Sequence, residues 1–240
     1  MMERSLFQRS LPAILMAALV AGTFFLALIE IDFGEERVDE ETSVSNRYIS
    51  NGTEETGSSN LVTSVVVNYR GFDTLGEVTV LFLAAAGVSA LISLLPSSEQ
   101  GKKGPKPSLI MTQGGMLAIP VIVLFGVYVF LHGHLSPGGG FQGGVIIASG
   151  FLLYLIVKPD SRPSHGKLSF FESTAGLAFI GIGLIGLAVS GVFLDNVISG
   201  FGEAGELVSG GLLPLIYIAI GIKVGAEMSG LVSGMRGDAS

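Results

Sequence analysis

His132-Gly-His-Leu-Ser-Pro-Gly-Gly-Gly-Phe-Gln-Gly-Gly144 lies between two long apolar runs, Leu109–Leu131 and Gln142–Val157. A stretch this rich in glycine and proline interrupts a helix. At or near membrane depth its backbone polar groups cannot face hydrocarbon unsatisfied, so the segment must be buried in protein or line water. It is a candidate functional site. Runs long enough to cross a hydrocarbon core of about 30 Å occur at Leu11–Ile29, Asp73–Leu95, Leu109–Leu131, Gln142–Val157, Phe171–Leu194 and Leu207–Val232. The expected fold is an all-α integral membrane protein of six transmembrane helices. The fourth run is short, and its span requires helix to continue back into the glycine-rich break.

Composition points the same way. The 240 residues are 49% hydrophobic and only 14% charged, with 35 glycines and a positive mean hydropathy, which excludes an ordinary soluble domain or a disordered chain. The absence of cysteine removes disulfides, thiolate metal sites, iron–sulfur ligation and a catalytic thiol. The net charge of -7 comes largely from one acidic loop. No basic patch with interleaved aromatics suggests nucleic-acid binding. The first run follows Arg4 and Arg9, like a signal peptide, but it is long for one. An acidic stretch follows it instead of a small-residue cleavage site, so it reads as a retained helix.

Orientation follows from the basic residues. Arg4 and Arg9 precede the first run, Lys102, Lys103 and Lys106 separate the second from the third, Lys158, Arg162 and Lys167 separate the fourth from the fifth, and Arg236 follows the sixth. Six spans place all four segments on one side, cytoplasmic by the positive-inside rule, with both termini there. The opposite side receives the acidic loop Glu30–Asn60, the break and the loop Asp195–Glu206. Pro96–Pro107 has the Pro/Gly/Ser/Lys composition of a boundary. It divides the chain into residues 1–95 with two helices and residues 108–240 with four.

Smaller signals fill in the outer side. Glu30–Ser59, rich in Glu, Ser, Asn and Thr, reads as a mobile acidic strap. Leu61–Val67 is too short to span and is expected to lie at the interface, after which Arg70-Gly71 turns the chain and Asp73 or Thr74 starts the second helix. Thr74-x-x-Glu77 and Ser169-x-x-Glu172 each match a capping box, which would explain both carboxylates by local hydrogen bonding. Pro120 and Pro214 interrupt the third and sixth helices. Gly176, Gly181, Gly183, Gly186 and Gly191 suggest close helix packing in the fifth.

Several residues could carry chemistry. Gly138-x-Gly140-x-x-Gly143 matches the dinucleotide fingerprint, but that motif needs a preceding strand, and here a transmembrane helix precedes it. Its glycines suit tight turns and close helix approach instead. His132 and His134 could hold a metal, yet no nearby third ligand is available. They could equally hydrogen-bond the surrounding backbone or relay protons near neutral pH. Asp73 and Glu77 lie at the start of the second helix, and Lys223 and Glu227 lie inside the sixth. A charge at the bilayer centre costs about 2.5–3.5 kcal/mol on insertion scales, so such residues face a bundle interior, pair up or mark an ion path. Lys223 and Glu227, four residues apart, share a helix face and can pair. Alternatively, Glu227 lies near the cytoplasmic interface and Lys223 extends towards it. No Ser/His/Asp or metal constellation of a free-standing enzyme is present.

The run HGHLSPGGGFQGG resembles the signature of the B subunit (MnhB/MrpB) of Mrp-type multisubunit sodium/proton antiporters. The likeness extends from Leu109 to about Val232 and rests on Pro137, Gly138, Gly139, Gly140, Phe141, Gly143 and Gly144 as well as the two histidines. Upstream, VNYRGFDTLGEVTVL (Val67–Leu81) resembles the C-terminal extension of the Mrp A subunit, which recurs as a small subunit of membrane-bound hydrogenases. Gly211–Leu231, with Lys223, is similar to the hydrogenase-type homologues. The resemblance implies a fusion of two such subunits within a large complex of a prokaryotic cell membrane that exchanges sodium for protons. Its partners would be the lipid bilayer, the other Mrp-type subunits (A-, C-, D-, E-, F- and G-like) and, in electron-driven relatives, hydrogenase or iron–sulfur subunits. No cofactor is implied in this chain, sodium and protons being the transported species. It would be a transporter subunit and no enzyme by itself. An ion path through Glu77, with Lys223, His132, His134, Asp73 and Glu227 as further candidates, is one expectation. A scaffolding subunit with no ion-path residues is the other.

Overall fold

The computed structural model describes residues 43–94, 106–161, 164–203 and 205–235, together with parts of 18–26. It divides into two compact units, Met1–Ser43 and Val44–Ser240. In the first, the described residues between 18 and 26 are helical. Most of the predicted first span, the linker 96–105 and the strap up to residue 42 lie outside the described residues.

In the second unit, α1 (Val44–Thr56) is followed by a helical turn at Leu61–Thr63 that widens into a π-helix at Ser64–Tyr69. Five long apolar helices follow: α2 (Gly71–Ser93), α3 (Leu109–Leu131), α4 (Gly140–Val157), α5 (His165–Ser190) and α6 (Leu213–Met235). All five are long and apolar enough to cross a membrane, and no strand occurs among the described residues. They correspond to the predicted runs two to six, so the all-α membrane fold read from the sequence is the observed one.

Helix α6 is the axis of the bundle. It packs against α2, α3, α4 and α5, and half of its span is buried, against 11% for α2. The core forms along it from Leu213, Ile216, Tyr217, Ile220 and Val224, joined by Val67, Val78 and Phe179. At its contact with α3 and α4 the side chains shrink to glycine. A methyl at Gly143 would come within 2.6 Å of the Gly126 carbonyl oxygen, and one at Gly144 within 2.8 Å of that of Gly221. The glycines of the break thus bring three backbones together, the close approach that drives helix association where no hydrophobic force acts.

Several predicted boundaries are corrected. Residues 44–56 of the supposed mobile strap are helix α1, docked by stacking of Tyr48 on Tyr69 with ring centroids 4.6 Å apart. Neither capping box forms. Helix α2 starts at Gly71, and the Thr74 hydroxyl donates instead to the Val66 carbonyl at 2.7 Å, within the π-helical segment. Helix α5 starts at His165 after Ser164, which leaves Ser169 and Glu172 well inside it. It ends at Ser190 because Gly191 turns left-handed at φ 80. Helix α6 begins only at Leu213, since Gly210 and Gly211 adopt φ 72 and 60. Pro214 therefore falls in its first turn, where no helical hydrogen bond is lost. Helix α3 runs through Pro120. In α5, Gly183 and Gly186 accommodate the chain's own return at Phe193 and Asp195, whereas Gly181 faces open space.

Candidate functional site

The break is a loop held from three sides. Gly133 and His134 offer carbonyls that the segment after α1 takes up. Thr63 Oγ1 donates to Gly133 O at 2.6 Å, Asn60 Nδ2 donates to the same oxygen at 2.8 Å, and Ser58 Oγ and Asn60 N donate to His134 O at 2.9 and 3.1 Å. With its only hydrogen spent on Gly133, Thr63 accepts from the Tyr217 hydroxyl of α6 at 2.8 Å. Asn196 closes the third side. Its Nδ2 donates to Thr56 O and Gly210 O, both at 2.8 Å, and its Oδ1 accepts from Leu212 N at 2.8 Å. The segment after α1, the break and the loop before α6 thus meet at one end of the bundle, as the alternation of basic segments requires. Gly139, at φ 142, then starts α4 in a conformation essentially confined to glycine.

The histidines have separate partners within this knot. His132 stacks on Tyr128 with ring centroids 4.1 Å apart and points Nδ1 at the Tyr128 carbonyl at 3.1 Å. His134 is completely buried, with Nε2 3.4 Å from the Glu206 carbonyl and Nδ1 unpaired. Burial pushes the His134 pKa below its ordinary 6.5, and the neighbouring His132 lowers it further, while the Glu206 carbonyl pulls the other way. A depressed folded-state pKa means stabilisation that is complete above 6.5 and lost as pH falls below it. Amide exchange in residues 58–64, corrected for intrinsic rates, should therefore accelerate between about pH 7 and pH 5. In His134→Gln the acceleration should vanish, and an unchanged pH dependence there would exclude His134 as its origin.

The ionisable groups within the spans meet elsewhere, between α2, α5 and α6. Lys223 Nζ donates to Glu227 Oε2 at 2.8 Å and lies 4.0 Å from Glu172 Oε1. The ammonium also sits over the Phe82 ring of α2, 5.4 Å from its centroid, and its stem runs past Gly176 of α5. The Glu227 side chain is only 3% exposed and its Oε1 has no hydrogen-bond partner. Glu227 is therefore buried inside the bundle, and Lys223 reaches one turn towards the C-terminal end of α6 to pair with it.

Glu172 and Glu227 line a cavity of about 500 Å³ whose wall runs to Ser93 and Gly234, at the C-terminal ends of α2 and α6, and to Leu168, at the N-terminal end of α5. Lys223 is twelve residues from the end of α6, or about 18 Å at about 1.5 Å per residue. The cavity thus joins a charge cluster deep in the span to the end of the bundle opposite the break. A cluster of this kind can hold and release protons or small cations. Glu172, assigned to a cap from its spacing to Ser169, is the member that sequence reasoning missed.

Asp73 and Glu77 are not part of this cluster. Asp73 is half exposed and accepts from Arg70 Nε at 2.6 Å. Glu77 stands on the exposed face of α2, beside Gly76, around which there is open space.

Two family models match different parts of the chain. A family model described as a domain related to the MnhB subunit of Na+/H+ antiporters matches residues 110–230, and the MbhE model, for one component of the MBH complex, matches residues 12–105. A protein of Methanocaldococcus jannaschii is 33% identical over 195 residues, covering 71% of this chain and 74% of its own length. A chain of the archaeal membrane-bound sulfane sulfur reductase, a respiratory membrane complex, superposes with a TM-score of 0.71 at 40% identity over 98% of both chains. A chain of the Mrp complex from Dietzia sp. superposes with a TM-score of 0.66 at 25% identity, over 96% of this chain but only 26% of that one.

Proposed function

The chain belongs to the family of domains related to the MnhB subunit of Na+/H+ antiporters, and from that membership we propose that it is a multi-pass subunit of a cation/proton antiporter module, standing alone or built into a membrane-bound respiratory complex. Within that module it provides part of an ion path. The observation that carries this reading is the Glu172–Lys223–Glu227 cluster, where Glu227, whose Oε1 is buried without a hydrogen-bond partner, lines a cavity between membrane-spanning helices together with Glu172. Charges at that depth are costly unless paired or placed on a transport route, and here one oxygen remains unpaired. By the positive-inside rule the cavity end faces the cytoplasm.

Glu77 serves a neighbouring subunit in this scheme. A carboxylate on the outward face of an apolar helix, with space for a close neighbour at Gly76, suits contact with another chain of the complex.

The test is sodium-dependent proton transport per assembled complex. Glu227→Gln keeps shape and removes charge, and it is expected to lower transport at least about tenfold, as expected when a step depends on one group's charge, with assembly retained. Glu77→Gln in the same preparation is expected to act chiefly through the yield of assembled complex. Normal transport by assembled Glu227→Gln complex would leave the chain a scaffold.

A further inference from the structure

With all three groups ionised, Glu172, Lys223 and Glu227 carry one net negative charge. In a desolvated site such a residue of charge favours uptake of one compensating positive charge. The geometry leaves a place for it. The ammonium is committed to Glu227 Oε2 at 2.8 Å, Glu227 Oε1 is buried and unpaired, and the Glu172 carboxylate is a quarter exposed on the same cavity. Ser89 and Ser169 add hydroxyl-bearing side chains to the wall. Among the described residues, α2 faces the ammonium with the Phe82 ring, and α3 and α4 contain no Asp, Glu, Lys, Arg or His.

We propose that Lys223 sets the valence of a cation site between Glu172 and Glu227, limiting it to one proton or one alkali-metal cation at a time and rejecting divalent cations. The inference rests on the ion-path reading of the same cluster and assigns its specificity. A proton on the Glu172 carboxylate neutralises the cluster. So does a sodium ion held between that carboxylate and Glu227 Oε1. Both together would leave one excess positive charge in a site of low dielectric, so each displaces the other. When sodium enters, the O–H bond of Glu172 breaks and its proton leaves through the cavity. When a proton returns, sodium leaves. Lys223 stays in place throughout, bonded to Glu227 and over the Phe82 ring face. A divalent cation would itself leave an excess charge. Without the ammonium, two negative charges would remain, and that site suits a divalent cation.

The experiment is sodium uptake into liposomes carrying the intact complex, titrated with calcium chloride on the cavity side. Wild type should be insensitive to calcium at concentrations comparable to sodium. In Lys223→Gln the half-inhibiting calcium concentration should fall at least about tenfold, and in Lys223→Gln/Glu172→Gln, which restores a single negative charge, insensitivity should return. Glu172→Gln alone makes the cluster neutral and should weaken sodium dependence at least about tenfold. That variant decides the matter if Lys223→Gln does not assemble. Calcium insensitivity of assembled Lys223→Gln, or unaltered sodium dependence of Glu172→Gln, overturns the valence assignment. If Glu227→Gln still loses transport in either case, the ion path itself stands. Normal transport in Glu227→Gln overturns the path and the valence assignment together.

Discussion

Asn196→Ala is expected to destabilise the chain by about 3 kcal/mol or more, from three hydrogen bonds broken in one buried place at about 1–3 kcal/mol for each group left unpaired. The side chain is 5% exposed. It satisfies the carbonyls of Thr56 and Gly210 and the N–H of Leu212, so a single amide joins the end of α1 to the turn that starts α6. Alanine removes both donors and the acceptor, and the vacated space is shielded by the chain around it. Asn68→Ala is the control. It withdraws only the acceptor for the Asn196 backbone N–H and should cost about 1–3 kcal/mol. Thermal unfolding of the purified protein reads the difference, and amide exchange should rise first at residues 56–64 and 210–212. Equal stability of Asn196→Ala and wild type would mean that the loops at this end are held by other contacts.

Nothing in the local sequence marks Asn196 for this role, because its partners lie 140, 14 and 16 residues away. What the chain does disclose is the part of the fold set by length and hydropathy. The second to sixth apolar runs each became a helix, and the break at His132–Gly144 became the entry to α4, because bilayer thickness and backbone hydrogen bonding act on a segment regardless of its neighbours. The pairing of Lys223 with Glu227 was legible for the same reason, since helical periodicity alone puts them on one face.

Where tertiary contacts compete with local ones, the spacing misleads. Thr74 and Glu77 have the separation of a capping box, yet the Thr74 hydroxyl is taken by Val66 of the preceding π-helix. Ser169 and Glu172 have it too, but α5 begins at His165, and Glu172 is turned towards Lys223. The emphasis on Glu77 came from its place in the GFDTLGE stretch at the start of an apolar run. Its side chain is exposed on α2, whereas the carboxylate of Glu227 is buried in the bundle.

Lys223→Gln and Glu227→Gln, though they break the same ion pair, are expected to differ sharply in stability. Removing the ammonium strands Glu227, which is 3% exposed and has no other cation in contact among the described residues, and such an uncompensated buried charge costs about 3–5 kcal/mol. Removing the carboxylate leaves Lys223 with Glu172 at 4.0 Å and the Phe82 ring at 5.4 Å, so the loss should stay nearer to about 1 kcal/mol, the worth of one hydrogen bond. Lys223→Gln/Glu227→Gln, with no buried charge left between them, should recover most of the larger loss. A double-mutant cycle on unfolding of the purified protein measures the coupling. Equal losses in the two single variants would show that Glu172 does not substitute as a partner.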